Sequence, residues 1–402
     1  MEKKIIKILK IIAIIFVVIL VIELGYIGYC AFFKKDETVY FDGVNALCVT
    51  DNGYVSVGSN NNNDKQLEKA KITKYDKDKN KVFEILYNKG YNGSFFGISK
   101  DNDNNYIAVG SYEASKEEHE SDVRSALIVK YDNDGQILFD KDFQVLGNSK
   151  FTNILVVDDG YIVSGQSIYE NSTLGFSSDG GAILVKYSKE GKILWKQNYG
   201  GSKSAVYNDL IIEDEYIFVV GKDYSNVGII SKYDMNGNHI KTSEYKYTDS
   251  IGFSGIVSVN DSLFVSTAKN ISDSQDNKNI DAMIVKYNLD CDYLDEVVYS
   301  TKYVERYNKI IKDSHDNIIT IGTKVLNGRE DTLNCDGLLA KYDSSLEKGD
   351  VITYGDERDD RFTDIKLVGN NYLVTGYSSY EDGSYLSKFI SYSDALKILE
   401  VQ

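Results

Sequence analysis

Short runs of alternating apolar and polar residues fill most of this chain, and the runs recur as a set. The clearest reads Ala126-Leu-Ile-Val-Lys-Tyr-Asp-Asn-Asp-Gly-Gln-Ile-Leu-Phe139, and it returns as Ala182-Ile-Leu-Val-Lys-Tyr-Ser-Lys-Glu-Gly-Lys-Ile-Leu-Trp195. Its Lys-Tyr-(Asp/Ser/Asn) centre stands at Lys74, Lys130, Lys186, Lys232, Lys286 and Lys341, with a degenerate seventh copy read at Lys388-Phe389. Period-two alternation with β-branched residues marks each run as a strand.

Two more patterns keep step with it. An aromatic, a polar residue, a variable residue and an aliphatic open each unit at Phe151–Ile154, Tyr207–Leu210, Phe253–Ile256, Tyr307–Ile310 and Phe362–Ile365, with looser copies at Phe95–Ile98 and Val44–Leu47. A second strand then runs from Tyr54, Tyr106, Tyr161, Tyr216, Leu263, Ile318 and Tyr372 to Gly58, Gly110, Gly165, Gly221, Thr267, Gly322 and Gly376. The repeated Gly is expected where adjacent sheets crowd. Asp51-Asn-Gly53, Asp158-Asp-Gly160 and Asn133-Asp-Gly135 supply residue types that tolerate a left-handed backbone, so tight turns are expected there. Four strands per unit, no helical period and a spacing of roughly 50 residues predict an all-β, seven-bladed β-propeller of four-stranded blades.

The N-terminus breaks the pattern. Four Lys lie within residues 1–10, and residues 11–33 are apolar except for Glu23. That stretch, at about 1.5 Å per residue, is long enough to cross a hydrocarbon core. The Lys excess before it favours a cytoplasmic N-terminus. The expected organisation is a basic tail (1–10), a transmembrane signal anchor (11–33) and an extracytoplasmic propeller (34–402). Cleavage as a signal peptide or as a lipoprotein at Cys30 is the alternative; bulky Tyr29 before Cys30 departs from the small residue a lipobox takes there.

Charge and cysteine narrow the partners. The whole chain carries −16, and without the six Lys and two Glu of its first 35 residues it carries −20. Such a body repels phosphate backbones, so nucleic acid is not expected as a partner. The four Cys (Cys30, Cys48, Cys291 and Cys335) make neither a disulfide framework nor a CxxC metal site.

The stretch Tyr199-Gly-Gly-Ser202, then Tyr207-Asn-Asp-Leu-Ile-Ile212, then Tyr216-Ile-Phe-Val-Val-Gly221 resembles the bacterial seven-bladed propeller repeat of the SBBP type. That resemblance implies the fold and little about activity. Gly191-Lys-Ile-Leu-Trp195 is similar to the quinoprotein-type repeat, but one Trp in the whole chain departs from that family, and no quinone or other cofactor is assigned.

Loop lengths are unequal. The connections from second to third strand are long: Ser59 to Ala70, Ser111 to Ser125, Gln166 to Gly181, Ala268 to Asp281 and Thr323 to Gly337. Alternate loops of a propeller emerge on opposite faces, so one face is trimmed and the other elaborated, and binding residues concentrate on such loops. Tyr112, Tyr169, Tyr224, Tyr377 and Tyr380 fall on or near the elaborated face; Tyr112, Tyr224 and Tyr377 are the loop-face binding candidates, as exposed rings for a protein or sugar. The position before the repeated aliphatic gives a second set: Asn153, Asp209, Lys309 and Asp364, expected to ring the channel mouth.

Other motifs are weaker. Asp101-Asn-Asp-Asn-Asn105 and Asp76-Lys-Asp-Lys-Asn80 resemble calcium loops, but lack the turn Gly and the terminal Glu and coincide with expected turns. Glu117-Glu-His-Glu120 with Asp122 reads as an acidic loop, and Asp356-Glu-Arg-Asp-Asp-Arg361 as an ion-paired one. No metal is assigned. The function expected is a non-enzymatic binding or scaffold module at the cell surface, for a protein or envelope glycan. A carbohydrate-active hydrolase or lyase using Asp209 and Asp364 is the alternative.

Overall fold

The computed structural model describes residues 43–401, apart from 61–67, 114–123, 144–147, 169–180, 201–204, 246–249, 271–279, 327–333, 357, 380–384 and 394–395. Its strands form seven antiparallel four-stranded sheets, each in chain order. They are the blades of a propeller: residues 44–86, 91–143, 148–199, 206–244, 250–299, 304–354 and 359–401. The first strands of successive blades pack on one another around a ring that includes the seventh and the first, so they line the axis. Among the described residues no helix is long and apolar enough to cross a membrane; residues 11–33 lie outside them.

The Lys-Tyr-Asp repeat is explained residue by residue. Its Tyr stands edge-on to the aromatic of the first strand in the same blade: Phe95–Tyr131 at 6.4 Å, Phe151–Tyr187 at 6.2 Å, Phe253–Tyr287 at 6.0 Å and Phe362–Tyr392 at 6.4 Å. Its Lys crosses to the next blade: Lys74 donates to Asn133 O at 2.8 Å, Lys232 to Leu289 O at 2.9 Å and Lys286 to Ser344 O at 3.0 Å. Its third residue closes the turn to the outermost strand. Asp132 Oδ1, for example, accepts from the amides of Asp134 (2.9 Å) and Gln136 (2.8 Å). Each such turn then needs one left-handed residue, which is Gly135, Gly191 or Gly237 in three blades and Lys79, Cys291, Leu346 or Leu396 in the others.

Two expectations are corrected here. The seventh copy of the motif is Ser391-Tyr392-Ser393, because Tyr392 pairs with Tyr372 as Tyr131 pairs with Tyr106; Phe389 instead packs on Tyr75 of blade 1. Losing the Lys hid the register. The repeated Gly is a site of close approach, but to its own blade: a Cβ on Gly165 would lie 2.1 Å from Lys150 O of the innermost strand. The cause is a β-bulge in every innermost strand, which skips Asn45, Phe96, Thr152, Asn208, Ser254, Asn308 and Thr363.

The bulged side chains do a second job. Asn45 Nδ2 donates to Phe95 O (2.8 Å), Thr152 Oγ1 to Tyr207 O (2.6 Å), Asn208 Nδ2 to Phe253 O (2.7 Å) and Ser254 Oγ to Tyr307 O (2.7 Å). Each bond joins one blade to the next, which is why the second residue of the opening motif is polar.

Candidate functional site

Asn153, Asp209, Lys309 and Asp364 each follow the bulge of an innermost strand, midway along it. Three of them are joined. Asn153 Nδ2 donates to Asp209 Oδ1, and Lys309 Nζ lies 3.2 Å from Asp209 Oδ2. Asp209 also accepts the amides of Leu210 (3.0 Å) and, in the next blade, Ile256 (3.2 Å). Asp364 is built the same way: it accepts from Ile365 N (2.9 Å) and Leu47 N (2.8 Å) and pairs with Lys366 (3.0 Å). Burial alone would lower the pKa of the Lys309 ammonium, but the carboxylates of Asp209 and Asp364 outweigh it and raise it above the ordinary lysine value. Asp209 and Asp364 are only 4% and 3% exposed. Their oxygens are thus spent on joining blades.

The antiparallel order puts the turns from first to second and from third to fourth strand at one end of every blade, and the long connections at the other. The central parts of those connections, with Glu117–Asp122, Tyr169 and Tyr380, lie outside the described residues. Blade 4 has a short connection instead, in which Asp223 Oδ1 accepts from Ser225 N and Val227 N at 2.8 Å and Tyr224 is 52% exposed. Tyr377 is partly exposed, opposite Arg361 across the sheet. Tyr112, expected on the surface, is buried in the interface of blades 1 and 2, with Tyr87 edge-on at 6.4 Å.

The calcium-like strings are turns. Asp101 accepts from Asp103 N (3.0 Å), Asn105 N (2.8 Å) and Asn105 Nδ2 (3.0 Å), and pairs with Lys130 at 2.8 Å. Asp76 does the same with Asp78 N and Asn80. Among the described residues no group of three or more His, Cys, Asp or Glu is placed to hold a metal ion. In the Asp356–Arg361 stretch Arg358 pairs with Asp356, Arg361 with Asp359 (3.0 Å) and Lys388 with Asp360 (3.2 Å).

One set of carboxyls on the elaborated side escaped the sequence reading. The residue six before the repeated Tyr and the residue two before the next blade's aromatic stand at each blade interface. They are Ser125 and Ser149 between blades 2 and 3, and Gly181 and Ala205 between blades 3 and 4. Between blades 5 and 6 they are Asp281 and Glu305, and between blades 6 and 7 Asp336 and Asp360. Asp281 and Glu305 are fully buried, and among the described residues no partner reaches hydrogen-bond geometry at either oxygen of Asp281 or at Oε2 of Glu305, although the Ser300 side chain near Asp281 offsets part of its rise. Burial raises both carboxyls above their ordinary values, and the charge of Asp281 adds to the rise at Glu305. Asp336 is raised as well, by burial and then by Asp360. Lys324 sits between Glu305 and Asp336 in one cross-strand row of blade 6. Aligning the units on strand register, rather than on the Lys-Tyr motif, would have exposed these pairs.

Together these features define a seven-bladed β-propeller whose repeated residues hold blades together and whose variable residues gather at one end. No family model matches the chain, and no curated protein matches it. Solved structures match in fold. A 6-phosphogluconolactonase-like protein from Bacteroides uniformis (described as putative) aligns with TM-score 0.50 at 10% identity, over 88% of this chain and 99% of its own. Sqt1 from Chaetomium thermophilum aligns with TM-score 0.48 at 9% identity, over 87% and 97%. A luciferin-regenerating enzyme aligns with TM-score 0.39 at 10% identity, over 76% and 89%. At such identity the likeness concerns fold alone.

Proposed function

We propose that this chain is a membrane-anchored, extracytoplasmic propeller of the SBBP-repeat type that acts as a non-enzymatic binding or scaffold module, taking a protein or envelope glycan on its elaborated face. The observation that carries the reading is the division of labour between residues. The recurring Lys, the turn Asp and the bulged Asn, Thr and Ser bond their own blade or the next one. Asp209 and Asp364, the pair a hydrolase would need, already hold two backbone amides and an ammonium each. The connections that differ in length from blade to blade lie at one end, carried on a rigid scaffold. The anchor rests on residues 11–33 and the Lys excess before them.

The test uses the full chain in detergent, immobilised and offered envelope extract and envelope polysaccharide. Beside it stands a variant whose connections 114–123 and 169–180 are each replaced by the short turn sequence of residues 223–227. A partner kept by the parent and lost by the still-folded variant supports the reading. Polysaccharide cleavage that disappears in Asp209→Asn would overturn it in favour of a hydrolase. For the anchor, protease added to intact cells should remove the propeller and spare residues 1–33; a protected propeller would reverse the topology.

A further inference from the structure

We infer that the elaborated face is turned toward the bilayer, and that its partner is an integral membrane protein reached in the narrow gap between propeller and membrane. This rests on the anchor reading above, and on where the chain joins the propeller. Gly43 O accepts from Ser59 N at 3.1 Å, and Ser59 is the last residue of the second strand, where the long connection of blade 1 begins. The chain therefore arrives beside the axis on the elaborated side.

Only residues 34–42 separate that point from the apolar segment. Nine residues span at most about 30 Å when fully extended. To lay the trimmed face on the bilayer, the chain would have to round the rim. Crossing from innermost to outermost strand takes about 14 Å, and descending a strand of seven to ten residues takes about 25–30 Å more. The sum exceeds the reach. The channel offers no shortcut: its length alone would consume the whole linker, and Asn153, Asp209 and Lys309 are bonded to one another midway along it. The trimmed face therefore does not lie on the membrane, and the attachment point favours the elaborated one.

The gap selects the partner. A free domain of 100 residues has a radius of gyration of about 13 Å and fits poorly under a face held within about 30 Å of lipid. Lipid itself is a poor ligand, because the propeller side of the chain carries −20 and anionic headgroups repel it. A protein already in the membrane meets neither obstacle.

The experiment places one dye at a time on the full chain in a Cys30→Ser, Cys48→Ser background; Cys291 and Cys335 are buried. The positions are Tyr224→Cys on the elaborated face, Leu194→Cys on the rim and Asn52→Cys on the trimmed face. In vesicles of zwitterionic lipid doped with a headgroup energy acceptor, transfer should be strongest from Tyr224→Cys, weaker from Leu194→Cys and weakest from Asn52→Cys. A bulky polymer maleimide should lose most of its reaction with Tyr224→Cys on going from detergent to vesicles, and keep it with Asn52→Cys. Equal transfer, or transfer strongest from the rim or from Asn52→Cys, overturns the orientation while the anchor stands. Release from vesicles by alkaline extraction overturns the anchor and the orientation together. Stronger transfer from Tyr224→Cys when anionic lipid is added would make lipid the occupant and overturn the protein partner.

Discussion

The hydroxyls of Tyr207 and Tyr233 lie 2.9 Å apart inside blade 4, and those of Tyr307 and Tyr342 lie 2.8 Å apart inside blade 6. In blades 2, 3, 5 and 7 the first partner is Phe95, Phe151, Phe253 or Phe362, and the buried hydroxyls of Tyr131, Tyr187, Tyr287 and Tyr392 have no hydrogen-bond partner among the described residues. The ring spacing is the same in both groups: 6.4 Å for Tyr207–Tyr233 and 6.2 Å for Phe151–Tyr187. A hydroxyl on Phe151 would have a mate in Tyr187, but Val185 stands in blade 3 where small Ser231 lies against the Tyr207 hydroxyl in blade 4. Phe151→Tyr in a Val185→Ser background should be more stable by about 1 kcal/mol than Val185→Ser alone, and Tyr207→Phe should lower stability by about 1–3 kcal/mol, since it orphans a buried group. Chemical denaturation of these variants checks this; a Phe151→Tyr that destabilises Val185→Ser would mean that the pocket is already full.

The buried acids between blades 5 and 6 give a pH signature of opposite sign to the turn acids. Burial raises the carboxyls of Asp281 and Glu305 in the folded state, while unfolded carboxyls titrate near about 4. Between those values the native state binds more protons, so their contribution is fully present below the unfolded value and is lost as pH rises through the folded one. Asp281→Asn should therefore gain on the parent in melting temperature as pH rises above about 4. Asp313 behaves conversely. Despite burial, its bonds to Asn317, His315 N and Tyr372 hold it down to about 2. Its stabilisation is lost as pH falls from the ordinary carboxyl range toward that value. Melting curves between pH 2 and 7 separate the two; a flat difference between Asp281→Asn and parent would show that Asp281 titrates in the fold as it does in the unfolded chain.

The glycines at the ends of the second strands should be among the least replaceable residues. A Cβ on Gly110 would stand 2.0 Å from Ser94 O, and on Gly322 1.7 Å from Arg306 O. Both neighbours are backbone and cannot swing away. Gly110→Ala should cost about 3 kcal/mol, measured by denaturant midpoint. Blade 5 shows what it takes to do without Gly: Thr267 fills the position and its hydroxyl donates to Gly252 O. An Ala, which has no hydroxyl, gains no such bond.

Much of this was legible in the sequence because a propeller repeats its chemistry. Blade and strand number follow from Lys130-Tyr131 and its copies together with the seven second strands that begin at Tyr54 to Tyr372, and the unequal faces follow from the lengths of the connections. What stayed hidden depends on register. A bulge shifts the pairing by one residue between Phe151 and Asn153, and no periodicity reveals whether the skipped Thr152 turns to solvent or to the next blade. Tyr112 looked exposed because it starts a long connection, yet it closes the interface over Tyr87. The carboxyl pairs were invisible for a related reason: Asp281 and Glu305 lie 24 positions apart in sequence and meet only because blade 5 hands the chain to blade 6.

Ring closure is the most exposed weakness of the fold, and Asp364 guards it. Blade 1 and blade 7 are each complete in chain order, so no strand is exchanged to fasten the ring. The joint relies on Val44, Leu47, Tyr75, Leu373 and Phe389, on Ser387 Oγ accepting from Val44 N (3.3 Å), and on Asp364 Oδ2 accepting from Leu47 N (2.8 Å). Asp364→Ala leaves that buried amide without a partner, a cost of about 1–3 kcal/mol. Asp209→Ala removes the matching bond to Ile256 N, but blades 4 and 5 remain joined through the chain. The two variants should therefore differ in where they open. Hydrogen exchange in Asp364→Ala should quicken at Leu47 and along blades 1 and 7 and leave blades 3 to 5 protected. In Asp209→Ala the change should stay close to Ile256. Uniform quickening across all blades in Asp364→Ala would mean that the ring opens only by global unfolding and that its closure is no weaker than any other joint.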